Sequence, residues 1–140
     1  MLILRAALFA DENESPGGQR YNVEQEYRQE NTMAIKLPRL ISDYINASNA
    51  HDVKSILACF SDDAVVHDEG ETLHGKKSIA GWIMKTIEKY KFQFKPLRIK
   101  GHDPEVVVAV EVSGTFEGSP VTLEYHFTVE NEKILSLTID

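Results

Sequence analysis

The chain has 140 residues, 42% hydrophobic and 26% charged, the balance of one ordinary globular domain rather than a collagen-like, disulfide-rich or wholly disordered chain. Its 15 basic residues face 22 acidic ones, and the net charge of -7 excludes a general binder of the nucleic-acid phosphate backbone. A single cysteine excludes an internal disulfide and a multi-cysteine zinc site, and Cys59, inside the apolar run ILACF, reads as a core residue rather than a reactive thiol.

The first ten residues, MLILRAALFA, are apolar but short. Arg5 interrupts them and an acidic stretch follows, unlike a secretory signal. No run of about 18 apolar residues exists to span a membrane. A cytoplasmic protein is therefore expected. Residues 1–32 carry three arginines against six carboxylates and no clear apolar period. They form an N-terminal extension, either a tail or the product of an upstream start, with Met33 as the alternative beginning. Residues 33–140 read as one complete domain.

Leu37, Leu40, Ile41, Tyr44, Ile45 and Ser48 recur at helical spacing, with Pro38 in the first turn. A turn, SNAH, follows. Asp52 caps a second helix, DVKSILACF, with Val53, Ile56, Leu57 and Phe60 on one face. SDDAVVHDEG reads as turn, short strand, turn, with Asp62 and Asp63 as a turn-and-cap pair. A third helix after Gly75 carries Ile79, Trp82, Ile83, Ile87 and Tyr90 as its apolar stripe.

Beyond Tyr90 the period becomes two. Phe92 and Phe94 share a face, then Leu97 and Ile99 do, and the change of parity across Lys95-Pro96 predicts a bulge. Val106, Val108, Val110 and Val112 make one apolar face. Val121, Leu123, Tyr125, Phe127 and Val129 make another, opposed by Glu124, His126 and Thr128. Asn131-Glu132 turns the chain into a last strand, Ile134 to Ile139. Three helices followed by a meander predict an α+β fold, helices packed on one face of a curved sheet.

The segment DYINASNAHDVKSILACFSDDAVVHDEG resembles the opening of ketosteroid isomerases and SnoaL-like polyketide cyclases, in the nuclear transport factor 2-like superfamily. The match rests on Asn49, Ala50 and Asp52 between the helices and on Phe60, Asp62, Asp63, Ala64 and Asp68. It continues more loosely through HGKKSIAGW and LEYHF. The resemblance implies a cone-shaped domain with a strongly curved, mostly antiparallel sheet, a ligand cavity and a homodimer. It implies Asp68 as general base and Tyr44 as a donor to the substrate oxygen. Where the isomerases carry a protonated aspartic acid, this chain has Tyr125, itself a neutral donor at pH 7. Steroid specificity does not carry over.

The residue chemistry points the same way. Removing a proton beside a carbonyl needs a base and neutral donors for the enolate, and both work best in a low dielectric. Ketosteroid isomerases use that arrangement. Strand alternation puts Ala64, Val66 and Asp68 on one face, and Leu123, Tyr125 and Phe127 on another. Without the resemblance, Asp68 reads as a surface turn residue, and Tyr44 and Tyr125 as packing rings. With it, Asp68, Tyr44 and Tyr125 are the catalytic candidates, and Trp82, Val66, Leu123 and Phe127 line the ligand. The expected reaction is cofactor-independent isomerisation, cyclisation or elimination on a small hydrophobic carbonyl compound. The alternative is a non-catalytic module holding a small apolar ligand or a partner in the same cone.

No cofactor is expected, since no glycine-rich phosphate loop is present. No metal site is expected either. His67, Glu69 and His74 have the residue types, but His67 and Asp68 point to opposite faces of a strand. His51 and His102 fall in turns and read as solvated, and His126 belongs to the outer sheet face. Lys76, Lys77, Lys85, Lys89, Lys91, Lys95, Arg98 and Lys100 meet only Glu88, a solvated basic face or a steering patch for an anion. Val107 and Ala109 are expected to leave apolar area on the outer face, where two copies would pair.

Overall fold

The computed structural model describes residues 35–68 and 70–140. The extension 1–32 and Glu69 lie outside the described residues. Among the described residues three helices and six strands follow in order: α1 (Arg39–Asn49), α2 (Val53–Ala58), β1 (Phe60–Asp68), β2 (Glu71–His74), α3 (Gly75–Tyr90), β3 (Gln93–His102), β4 (Glu105–Ser113), β5 (Val121–Glu130) and β6 (Lys133–Ile139). The strands form one sheet in the order β2-β1-β6-β5-β4-β3. All neighbours are antiparallel except β1 and β6, which run parallel. The fold is α+β with a mixed, open sheet.

The helices form where the apolar spacing put them. On α1, Ile41, Tyr44, Ile45, Ala47 and Ser48 are buried, and on α3 Ile79, Ile83, Thr86 and Tyr90 are. Pro38 precedes the first helical residue rather than occupying it: its ψ of 149° is extended, and the helix begins at Arg39. Asp52 caps α2 as expected, its carboxylate accepting from the Ser55 N–H at 3.2 Å and the Ser55 hydroxyl at 2.8 Å. That helix is shorter than its apolar spacing suggests. It ends at Ala58, Cys59 is its buried cap, and Phe60 already starts β1. Phe60 fits the helical stripe by period, but the parallel pairing of Phe60 with Ile134 wins.

One further expectation is corrected, and one strand is added. Asp62 and Asp63 lie within β1, in the stretch between Phe60 and Val65 where its register with β6 shifts. Asp62 faces Lys76 at 3.7 Å, an exposed contact worth little. The segment after Gly70 is a strand, β2, which closes a hairpin on β1 through Val65↔His74 to Asp68↔Glu71.

The sheet otherwise follows its parities. Val106, Val108, Val110 and Val112 are fully buried, in the core cluster that also holds the apolar stripes of α1 and α3. The register of β3 on β4 shifts between Pro96 and Arg98, leaving Leu97 as the extra residue and carrying the core face from Phe94 to Ile99. Asn131 and Glu132 both take positive φ, 55° and 60°, the twist a two-residue hairpin turn requires.

On the outer face Val107 is half-buried and keeps apolar area open, while Ala109 does not. Ala109, between Arg98 and Glu124 in register, is only 4% exposed, so it offers no apolar area to a second copy. His126 lies on this face as expected, its Nε2 3.1 Å from the Asp140 carboxylate. Among the described residues Met84, on α3, is the exposed large hydrophobic side chain. No helix among them is long and apolar enough to cross a membrane.

Candidate functional site

The C-terminal end of α1 is tied to the start of β3 by two side chains. The Asn49 amide grips the Phe94 peptide on both sides: Nδ2 donates to the Phe94 oxygen at 2.9 Å, and the Phe94 N–H donates to Oδ1 at 2.6 Å. His51 is not solvated. Its Nε2 lies 2.6 Å from the Phe92 carbonyl oxygen, which can only accept, so Nε2 carries the proton. Its ring also packs edge-on against Phe92 at 5.1 Å. These ties hold Phe92 and Phe94 stacked 4.6 Å apart over the concave face of the sheet.

Between these rings, α1 and α3 lies a narrow cleft with an open interior of about 20 Å³. That is room for about one water molecule, well below the range for ligand pockets. Its polar lining is Asp68, Tyr44, Ser48, Tyr125, Trp82 and Thr86. Its apolar lining is Ile56, Ile83, Phe92, Phe94 and Ile139. Asp68, Tyr44 and Tyr125 thus converge on one cleft from β1, α1 and β5. All three are buried, at 2%, 3% and 1% exposure.

The carboxylate is held from α3. The Trp82 indole Nε1–H donates to Asp68 Oδ2 at 2.9 Å. Trp82 therefore does more than wall the cleft. The Thr86 hydroxyl donates to the Trp82 backbone carbonyl at 2.7 Å, which satisfies that buried hydroxyl within the helix. Ser48, one turn beyond Tyr44 on α1, hydrogen-bonds the Tyr44 phenol itself.

Burial pushes the Tyr44 phenol well above its ordinary range. The Asp68 charge adds to this and the Ser48 hydrogen bond opposes it. Tyr125 is raised by burial first, then by Tyr44 and Asp68. Both phenols stay protonated and able to donate across the physiological range. Tyr90, on α3, is raised by burial and then by Asp68, and its hydroxyl is buried without a hydrogen-bond partner. Nothing in the apolar spacing of α3 distinguishes that hydroxyl from a packing ring.

Three expected ligand-lining residues are not at the cleft. Val66, Leu123 and Phe127 are buried in the core beside it, with Phe127 packed edge-on to Tyr44 at 5.5 Å. Strand parity names the face a side chain is on but not its depth along the strand. His67 is exposed, opposite Asp68 in facing, and its Nδ1 lies 3.3 Å from the Thr72 hydroxyl. Among the described residues no three His, Cys, Asp or Glu side chains are grouped to hold a metal ion.

A family model described as a SnoaL-like domain matches residues 41–137. Among solved structures, a Sinorhizobium meliloti protein assigned as a polyketide cyclase is 34% identical. The match covers 74% of this chain and 95% of that one, at a TM-score of 0.72. A Catenulispora acidiphila protein with a ketosteroid isomerase-like fold, solved with trimethylamine, is 17% identical over 75% and 86% of the two chains, at a TM-score of 0.67. An epoxide hydrolase of M. tuberculosis is 19% identical over 72% and 78%, at 0.62. The last two show the fold alone. No curated protein sequence matches.

Proposed function

The chain belongs to the SnoaL-like family, and from that premise we propose that it is a cofactor-independent isomerase or cyclase that abstracts a proton next to the carbonyl of a small hydrophobic substrate. Asp68 is the general base, and Tyr44 and Tyr125 are the donors to the carbonyl oxygen. The observation that carries this reading is the buried Asp68 carboxylate sharing one narrow cleft with two buried, protonated phenols.

In the first step an α-carbon–hydrogen bond breaks. Its proton goes to Asp68 and its electron pair moves onto the carbonyl oxygen, between the two phenolic hydroxyls. In the second step Asp68 returns the proton to a different carbon, or the enolate carbon attacks a second carbonyl of the same molecule, whose π pair moves onto its oxygen and takes the proton from Asp68. Both donors are neutral, so the site does not favour an oxyanion until one develops. Trp82 holds the carboxylate's orientation through Oδ2.

The test is hydrogen–deuterium exchange at the α-carbon of small enones in D2O, followed by NMR. The full chain should accelerate exchange, Asp68→Asn should return it to background, and Tyr44→Phe or Tyr125→Phe should cost up to about 10²–10³-fold. Exchange at the same rate with the full chain and with Asp68→Asn would reject catalysis. The second reading, a non-catalytic ligand-binding module, would then take its place. It draws on the contact of Phe94 with Tyr125 at 5.5 Å, which brings rings close together inside the cleft.

A further inference from the structure

The eight cations between Lys76 and Lys100 do not form one surface. Lys95, Arg98 and Lys100 belong to β3, at the edge of the sheet, whereas Lys77, Lys85 and Lys89 ride on α3 and are exposed. They surround one outer face of that helix, which also holds Ser78, Gly81, Met84 and Glu88, all exposed. Among the described residues no carboxylate pairs with Lys77, Lys85 or Lys89, whereas the Lys76 ammonium reaches Asp62. Met84 sits in the middle of the face, 54% exposed. Gly81, three residues before it, is not required by packing, since a Cβ there would meet nothing within 4 Å. Glycine weakens a helix interior, and this one leaves bare backbone beside an exposed thioether. The face is thus a shallow apolar notch with three ammonium groups and one carboxylate around it.

The same chain carries a complement to that face. Asp11, Glu12, Glu14, Glu24, Glu26 and Glu30 fall in one stretch of the N-terminal extension, against Arg20 and Arg28, and Tyr21 and Tyr27 stand among them. Carboxylates answer the ammonium groups, and a tyrosine ring suits an exposed methionine, because thioether–aromatic contact is favourable. Reach is sufficient: the residues from Tyr21 to Ile35 can extend up to about 46 Å, against a domain roughly 35 Å across. The net charge of -7 disfavours a separate polyanion, which the rest of the chain repels. A tethered segment overcomes that repulsion through an effective concentration on the order of millimolar. We propose that residues 11–30 dock in cis on the outer face of α3, carboxylates against Lys77, Lys85 and Lys89 and a tyrosine ring against Met84 and Gly81. Exposed pairs are individually weak, so this docking fixes where the segment sits and adds little to the stability of the domain. It does not depend on Asp68 or on how the cleft is used.

The experiment places a nitroxide on the full chain at Asn22→Cys, with Cys59→Ala removing the native thiol, and reads amide peak intensities by NMR. At about 20 mM salt the amides of Gly81, Met84 and Lys85 should lose at least about half their intensity relative to the reduced label, and at about 0.5 M salt they should recover it. Lys77→Glu together with Lys85→Glu should abolish the loss at low salt. Should the Cys59→Ala chain fail to fold, the unlabelled chain decides: Glu24→Gln, Glu26→Gln and Glu30→Gln together should shift the same amides at low salt and not at high salt. Full intensity at low salt, a loss confined to other surfaces, a loss that survives the charge reversal, or unmoved amides in the glutamine variant would overturn the proposal. Mixing the nitroxide-bearing chain with an isotope-labelled chain that has none separates one molecule from two. Loss of intensity in that mixture would assign the face to a second copy's extension, and binding of a free oligoglutamate there without any loss in the labelled chain would assign it to a separate acidic partner. Either result would overturn docking in cis.

Discussion

Replacing Trp82 by Phe removes one specific bond, the indole N–H to Asp68 Oδ2 at 2.9 Å, while keeping a ring in place. A hydrogen bond to a charged group contributes about 1.5–3 kcal/mol, against about 0.5–1.5 for a neutral pair. Asp68 is 2% exposed, so water cannot replace the lost donor at little cost. The smaller ring also leaves a void whose cost is the same whatever stands at position 68. Measuring Trp82→Phe twice, once in the unaltered chain and once in Asp68→Asn, cancels that void and isolates the part due to charge. The substitution should cost about 1 kcal/mol more beside the carboxylate than beside the amide. For a domain of this size that is roughly 3–5 °C in Tm. Urea denaturation gives the energies directly if m stays constant across the four proteins. Equal costs in the two backgrounds would refute the reasoning, for they would mean that the indole packs beside Asp68 without holding its charge.

Tyr90→Phe should leave stability unchanged or raise it by about 1 kcal/mol, because it deletes a buried hydroxyl that has no partner; a loss beyond 1 kcal/mol in urea melts would contradict this. Tyr44 and Tyr125 have folded pKa values above the unfolded value of about 10, so their contribution is intact below pH 10 and is lost as pH rises beyond it, the unfolded phenols ionising first. Absorbance titration at 295 nm should show these two phenols ionising only with unfolding, and early ionisation in the native state would count against their burial. A chain beginning at Met33 should melt within about 2 °C of the full chain, since the apolar periodicities are complete from Leu37 onward. Sedimentation at micromolar concentration should show a homodimer paired through the outer sheet face, and Val107→Asp should dissociate it; a monomer in the unaltered chain would end that proposal.

Much of this domain can be read from residue spacing because one face of each element is apolar and the other is not. The stripe of α1, the valines of β4 and the parity change at Lys95-Pro96 are of that kind. The four residues of β2 are not. Glu71, Thr72 and His74 are exposed and Leu73 is half-buried, so no alternation marks a strand that exists only because β1 offers it an edge. Phe60 fails for the opposite reason, since its spacing from Val53, Ile56 and Leu57 satisfies a helix while its partner lies far along the chain. The convergence of Asp68, Tyr44 and Tyr125 came from resemblance to a family rather than from spacing. Depth was legible from neither: the positions of Val66, Leu123 and Phe127 behind the cleft depend on how the helices cross the sheet. The ties made by Asn49 and His51 also escaped, because they join side chains to backbone groups more than forty residues away.

The order of strands in the sheet has a consequence in time. β6 lies between β1 and β5, parallel to the first, and Ile139 both pairs with Asp68 and lines the cleft. During synthesis β1 leaves the ribosome some seventy residues before the strand that will become its neighbour. Until β6 arrives, one edge of β1 and one edge of β5 stand open, with Phe60, Val66 and Phe127 beside them. Loop closure over that distance is slow compared with forming the helices or the β3–β5 meander. The nascent domain therefore passes through a state with two unpaired apolar edges, the kind of surface that chaperones retain and that aggregates when they do not. The last strand acts as a wedge that brings the two halves of the sheet together, and the cleft comes into being only when it is driven home.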